Sequence, residues 1–273
     1  MKVSNESPEK NRTPGTHAGP DARLLEVVDV TKRFGAVRAV DSANLTVARS
    51  QIVGLVGANG AGKSTLINLI SGVTQPDTGK LLIEGRPIQL GNPMDARFWG
   101  IETVYQDLAL LNELDVTANI FMGRELCRRT LGVQWLAEKA MKAKATELIR
   151  KLGYDFGAGS PVRFLSGGQR QAVALARALY SRAKIILLDE PTAALGVQET
   201  QRTLDLIRSF RERGVSLLVV SHELEDVFAI ADRIVVMKNG TVVADRMTQS
   251  TTHDEIVSLI MRGDTSLSSQ EGR

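Results

Sequence analysis

Residues Gly57 to Ser64 read GANGAGKS, which fits the spacing G-x-x-x-x-G-K-[ST]. Glycines let backbone N–H groups turn inward without a Cβ in the way, and a lysine and a hydroxyl follow where a helix begins. The chemistry this allows is the holding of a nucleoside triphosphate with Mg2+. The loop Gly57, Ala58, Asn59, Gly60, Ala61, Gly62, with Thr65 just beyond it, would cradle the phosphates of that nucleotide. Lys63 would bridge the β- and γ-phosphates, and the Ser64 hydroxyl would ligate Mg2+. A glycine-rich turn that only caps a helix is the competing reading. The apolar strand before the loop and the helical pattern after it argue against that reading.

A second set lies downstream. The run IILLDE places Asp189 and Glu190 at the C-terminal end of an apolar strand, where open α/β sheets bind ligands. Adjacent strand residues point to opposite sides, which would separate their jobs. Asp189 would hold Mg2+ through water, and Glu190 would orient or deprotonate the attacking water. Residues 165–169 read LSGGQ, a second glycine-rich turn, this time without a lysine. Ser166 can cap the Ala-rich helix RQAVALARALYSRA that follows. The N–H groups at that helix start, with Gly167 and Gly168 open to close approach, form a second anion-binding turn.

The elements that must position these residues are legible in the same pattern. LLEVVDV (24–30) alternates like a strand. QIVGLVG (51–57) is an apolar strand that feeds the phosphate loop. Leu66, Leu69 and Ile70 then recur at helical spacing. KLLIEG and IETVYQ (101–106) are further strands. WLAEKAMKAKATELIRKLG places Met141, Ala145, Leu148, Ile149 and Leu152 on one helical face, with Gly153 at the C-cap. KIILLDE and VSLLVVSH read as central parallel strands covered on both faces. TQRTLDLIRSFRERG is a helix ending at Gly214, and HDEIVSLIM is a last short one. RIVVMKNGTVVAD is a hairpin around Asn239-Gly240. Strands alternating with helices predict an α/β fold.

Bulk properties agree. Hydrophobic residues are 43% of 273 and aromatics only 4%, so aliphatic side chains build the core of a soluble globular chain. A net charge of +3 is too weak to argue for nucleic acid. The single cysteine, Cys127, excludes an internal disulfide; with no His or second Cys beside it, it reads as a helix-face thiol rather than a metal ligand. No apolar run reaches the roughly 18 residues of a membrane span. Residues 1–22 are polar and Pro/Gly-rich, with the character of a disordered tail; 263–273 is again tail-like.

Taken in order, Phe34, the phosphate loop, Gln106, LSGGQ, LLDE and His222 give a chain that resembles the ATP-binding cassette (ABC) ATPases from about residue 24 to 262. The resemblance implies a P-loop NTPase cassette in one domain, 23–262. It would have a mixed, mainly parallel sheet core, an antiparallel β subdomain, and a helical subdomain inserted at about 107–170. It further implies that two copies pack head to tail with ATP between them. Ser166, Gly167, Gly168 and Gln169 of one copy would face the γ-phosphate held by the other. Phe34 looks like the ring that stacks on adenine, with a core Phe as the competing reading. Gln106 looks like the hinge glutamine that meets Mg2+ and water and begins the segment contacting membrane subunits. His222 looks like the switch histidine on the γ-phosphate. His17 and His253 carry no assigned role.

One departure stands out. After DEPT the family reads S-A-L-D, and this chain reads AALG, so Gly196 replaces an aspartate that contributes contacts across the dimer. AALG, GIETVYQDLAL and DVTANIFMGRE are similar to the ATPases of simple-sugar importers. With one phosphate loop and one LSGGQ, the chain resembles their single-cassette, fructose-type members. The implied function is ATP hydrolysis powering monosaccharide uptake. It would take place at the cytoplasmic face of the membrane, with two integral-membrane permease subunits and, indirectly, a sugar-binding protein, and without nucleic acid. An exporter ATPase and a soluble ABC ATPase acting on nucleic acid or ribosomes are the alternatives.

Overall fold

The computed structural model describes residues 23–130 and 133–262. The tail-like segments 1–22 and 263–273, with His17, lie outside the described residues. The chain runs β1 (Arg23–Phe34), β2 (Val37–Ala48), β3 (Ile52–Val56), α1 (Lys63–Ile70), β4 (Thr78–Ile83), β5 (Arg86–Ile88), α2 (Pro93–Phe98) and β6 (Ile101–Val104). It continues α3 (Val116–Phe121), β7 (Cys127–Thr130), β8 (Val133–Leu136), α4 (Glu138–Lys151), α5 (Gly167–Tyr180), β9 (Ile185–Asp189) and α6 (Val197–Glu212). It closes with β10 (Ser216–Val220), α7 (Leu224–Ile230), β11 (Arg233–Lys238), β12 (Thr241–Met247) and α8 (His253–Arg262).

The central sheet has the order β12-β11-β3-β10-β9-β6. All its neighbours are parallel except the antiparallel edge strand β12. Its inner strands β3, β10 and β9 are almost wholly apolar because both faces are covered. Ile186, Leu188, Leu217 and Val219 face one core, which includes α3, α4, α5 and α6. Ile185, Leu187, Leu218 and Val220 face the other, which contains α1 and the antiparallel sheet β2-β1-β4-β5. The period-2 pleat thus sorts one continuous apolar run into two cores. The β11–β12 hairpin turns at Asn239 and Gly240, both at positive φ, as the right-handed strand twist requires.

The mixed α/β fold agrees with the sequence expectation. Several local expectations do not. The segment 107–170 carries helices, but also the β7–β8 hairpin, which forms a separate two-stranded sheet. Cys127 is therefore on an exposed strand, not a helix face. Trp135 and Leu136 belong to β8, and α4 begins only at Glu138. Both faces of this hairpin are exposed, so no apolar alternation marks it. The strand read over 101–106 stops at Val104, and α6 starts at Val197, ahead of the expected start. The α4 stripe is as expected: Met141, Ala145, Leu148 and Ile149 are buried, and Gly153 turns out at φ 75 just past the cap.

Candidate active site

β3, β9 and β10 are adjacent parallel strands, so their C-terminal ends deliver three loops to one edge of the sheet. The loop after β3 needs its glycines. Gly62 precedes α1 at φ 102, and a Cβ there would lie 2.4 Å from the Ala39 carbonyl. A Cβ on Gly57 would lie 2.2 Å from the Met237 carbonyl. Lys63 is only 7% exposed. Its Nζ donates to the carbonyls of Gly57 (2.7 Å) and Ala58 (3.0 Å), which folds the loop around the ammonium. Burial pulls the Lys63 pKa down, against the opposing pull of Glu190 and Asp189. The same burial, with Glu190 adding to it, pushes Asp189 up, and Lys63 opposes the rise.

Asp189 ends β9, but Glu190 is not separated from it by the pleat. Glu190 has φ 51, a left-handed turn, and its N–H donates to the Val220 carbonyl at 2.9 Å. A left-handed backbone turn, not strand alternation, therefore sets how Glu190 follows Asp189. A non-glycine residue at positive φ costs on the order of 1 kcal/mol, strain of the kind that collects at functional sites. His222 follows β10 and links two acids: Nδ1 is 3.2 Å from Glu190 Oε1, and Nε2 is 3.1 Å from Glu223 Oε1.

Two clefts share Glu190 as a wall. One, of about 650 Å3, is lined by Val37–Ala39, residues 59–65 and Asn239. The other, of about 320 Å3, is lined by Gln106, Asn112, Gly167, Gln171 and residues 193–195. The phosphate-loop cleft thus contains no residue of LSGGQ. In that turn Ser166 accepts from the Gln169 N–H (3.3 Å), and the Gln169 side chain accepts from the Ser166 N–H (2.9 Å), a capping box on α5. Ser166 and Gly167 are exposed.

Phe34 is 52% exposed, which removes the core reading. It closes β1 against Val37 of β2, one residue from the cleft-lining Arg38. Lys32 Nζ sits 5.7 Å from its ring centroid and is held there by Asp77 (2.7 Å). Asp77 also accepts from the Arg33 N–H, and these hydrogen bonds hold its pKa down.

Two residues that anchor this site have no sequence signal. Arg177 of α5 donates to the carbonyls of Leu108 (2.9 Å) and Ala109 (3.1 Å), tying the segment after Gln106 to α5. Asn119, fully buried in α3, pairs with both the N–H and the carbonyl of Leu111.

The ABC transporter family profile matches residues 40–193. The chain is 42% identical over 238 residues to the xylose/arabinose import ATP-binding protein of Sulfolobus acidocaldarius, covering 87% of this chain and 93% of that one. The chain belongs to the ABC transporter family. It is also 43% identical over 222 residues to the fructose import ATP-binding protein of Rhizobium meliloti, covering 80% and 85% of the two chains. Among solved structures, a dimeric post-hydrolysis state of an ATP-binding cassette bound to ADP and Pi superposes with TM-score 0.71 at 25% identity. The match covers 84% of this chain and all of that one. The family resemblance and the fold expected from the motifs are both borne out. The cassette is an ATP-hydrolysing one of the class that powers transport, and among the described residues no helix is long and apolar enough to cross a membrane.

Proposed function

We propose that this cassette is the ATP-hydrolysing subunit of an importer that takes up a monosaccharide through two partner membrane subunits. One observation carries the reading: Glu190 borders both the phosphate-loop cleft and the cleft containing Gly167, while LSGGQ itself lies outside the phosphate-loop cleft. A site built this way is completed by a second copy. Ser166 to Gln169 of that copy then meet the γ-phosphate cradled by Gly57 to Thr65. Residues 23–262 act in this as one cassette.

Each group has a physical role. The loop amides and the α1 N-terminus bind phosphate oxygens, and Lys63 leaves its loop carbonyls for the β- and γ-phosphates. Phe34, braced by Lys32 and Asp77, offers a ring to adenine. Glu190 accepts the proton of the attacking water, and His222 holds that carboxylate from one side and reaches the γ-phosphate. The Ser64 hydroxyl, the Gln106 amide and the Asp189 carboxylate are all hard oxygen donors, which suits Mg2+. When bound, Mg2+ supplies charge neutralisation at the phosphates.

The membrane-subunit reading is supported by the surface beside Gln106. Phe98 is 85% exposed and Met94 75%. A groove of about 270 Å3 beside them is lined by Val73, Pro93, Ile101 and Tyr105. Tyr105 lines this groove and its neighbour Gln106 lines the cleft that Glu190 also borders, so docking and chemistry meet at adjacent residues. The sugar class follows from the xylose/arabinose and fructose import relatives, and the site of action is the cytoplasmic face of the membrane.

The test is uptake of labelled xylose, arabinose, fructose and ribose by cells whose only copy carries Glu190→Gln. Uptake of at least one should fall to background. Unchanged uptake of all four contradicts sugar import.

A further inference from the structure

We infer that Glu199 is a positioning residue that supplies the carboxylate Gly196 lacks and locks the LSGGQ turn to the segment behind Glu190. Glu199 lies in the first turn of α6, whose N-cap is Gly196. A Cβ on Gly168 would lie 2.6 Å from Glu199 Cγ, and a Cβ on Gly196 would lie 2.8 Å from Glu199 Oε2. The stem of Glu199 therefore covers Gly168 in the first turn of α5, and its carboxylate covers Gly196.

Neither glycine is there for its backbone. Gly196 has φ −74 and ψ 165, extended geometry that any residue adopts. Gly168 is inside α5 and is not at positive φ, so it gives up about 1 kcal/mol of helix propensity relative to Ala. Both positions are emptied for one side chain. That side chain sets its carboxylate at the positive end of α6 and lays its stem against the first turn of α5. Arg202, one turn along α6, stacks near Tyr154, whose pKa burial raises while Glu199 and Arg202 act on it in opposite senses.

The contact has a direction. Ala193 N–H donates to the Glu190 carbonyl (3.2 Å) and Leu195 N–H to the Thr192 carbonyl (3.3 Å), so tight turns run from Glu190 to Leu195, next to Gly196. Through Glu199 the LSGGQ turn is coupled to Glu190. Resting on the two-copy reading, this coupling joins the two sites, because each LSGGQ serves the partner's nucleotide and each Glu190 its own.

The test compares full-length Glu199→Ala, Glu199→Gln and the double variant Glu199→Ala/Gly196→Asp. ATP turnover, ATP affinity of the separate chain and melting temperature are measured on each. Glu199→Ala should lower kcat about tenfold with ATP affinity and melting temperature near wild type. Glu199→Gln, which keeps the stem, should fall between. Adding Gly196→Asp should recover most of the loss by returning a carboxylate to the emptied space. Dimer formation with ATP in a Glu190→Gln background should follow the same order. Wild-type kcat and dimerisation in Glu199→Ala overturn the inference, as does a loss that tracks melting temperature and that Asp at 196 leaves uncorrected. A wild-type chain without turnover counts against the ATPase reading, and the dimer series still decides the role of Glu199.

Discussion

Glu190→Gln lowers ATP turnover about a thousandfold, within the range for loss of a general base, and leaves ATP binding intact. The amide keeps the volume of the carboxylate and an oxygen for His222, which stands 3.2 Å from Glu190 Oε1 in the wild type. What it cannot do is take a proton. Loss of the negative charge also removes an anion that borders the phosphate-loop cleft. Phosphate release in steady state checks the first effect, and equilibrium binding of a fluorescent ATP analogue checks the second. Wild-type turnover in this variant means that another group is the base.

Lys63→Ala weakens ATP binding about a hundredfold, the size of one or two charge-assisted hydrogen bonds. The buried ammonium already holds two loop carbonyls, at 2.7 and 3.0 Å, so the variant loses both the phosphate contact and the brace that shapes the loop. Unlike Glu190→Gln, the loss falls on affinity and appears before any chemistry. Calorimetry with ATP measures it, and unchanged affinity removes the phosphate-loop assignment. Melting temperature measured alongside separates a misshapen loop from an unfolded chain.

The parts of the site legible in the sequence are those encoded by local chemistry. Gly57 to Ser64 could be read because glycine, lysine and serine at fixed offsets admit few other uses. The parallel strands could be read because two buried faces demand unbroken apolar runs. Ser166 could be read as a helix start because a serine before an Ala-rich helical run is a capping signal in itself; the structure adds Gln169 as its reciprocal partner. The unreadable parts depend on distance or on dihedral angle. The left-handed turn at Glu190 leaves no trace in residue type, since glutamate is not a residue that turns favour. Arg177 meets carbonyls nearly seventy positions away, and helical periodicity does not distinguish it from any exposed arginine. Glu199 and Gly168 meet only because α5 and α6 pack together. The β7–β8 hairpin hid for the opposite reason: with both faces in water, it has no periodicity to show.

The AALG departure also changes character. Gly196 is not simply an aspartate deleted, because the space over it holds the carboxylate of Glu199. The chain keeps an acid at that junction and reaches it from one turn further along α6.

The central claim is that two copies of this chain close over ATP, each lending LSGGQ to the other's phosphate loop. Its most direct test is the solution mass of Glu190→Gln by light scattering, with and without saturating ATP and Mg2+. One chain is expected without nucleotide and two with it, and a return to one chain when Ser166→Arg blocks the turn. A variant that binds ATP and stays a single chain contradicts it.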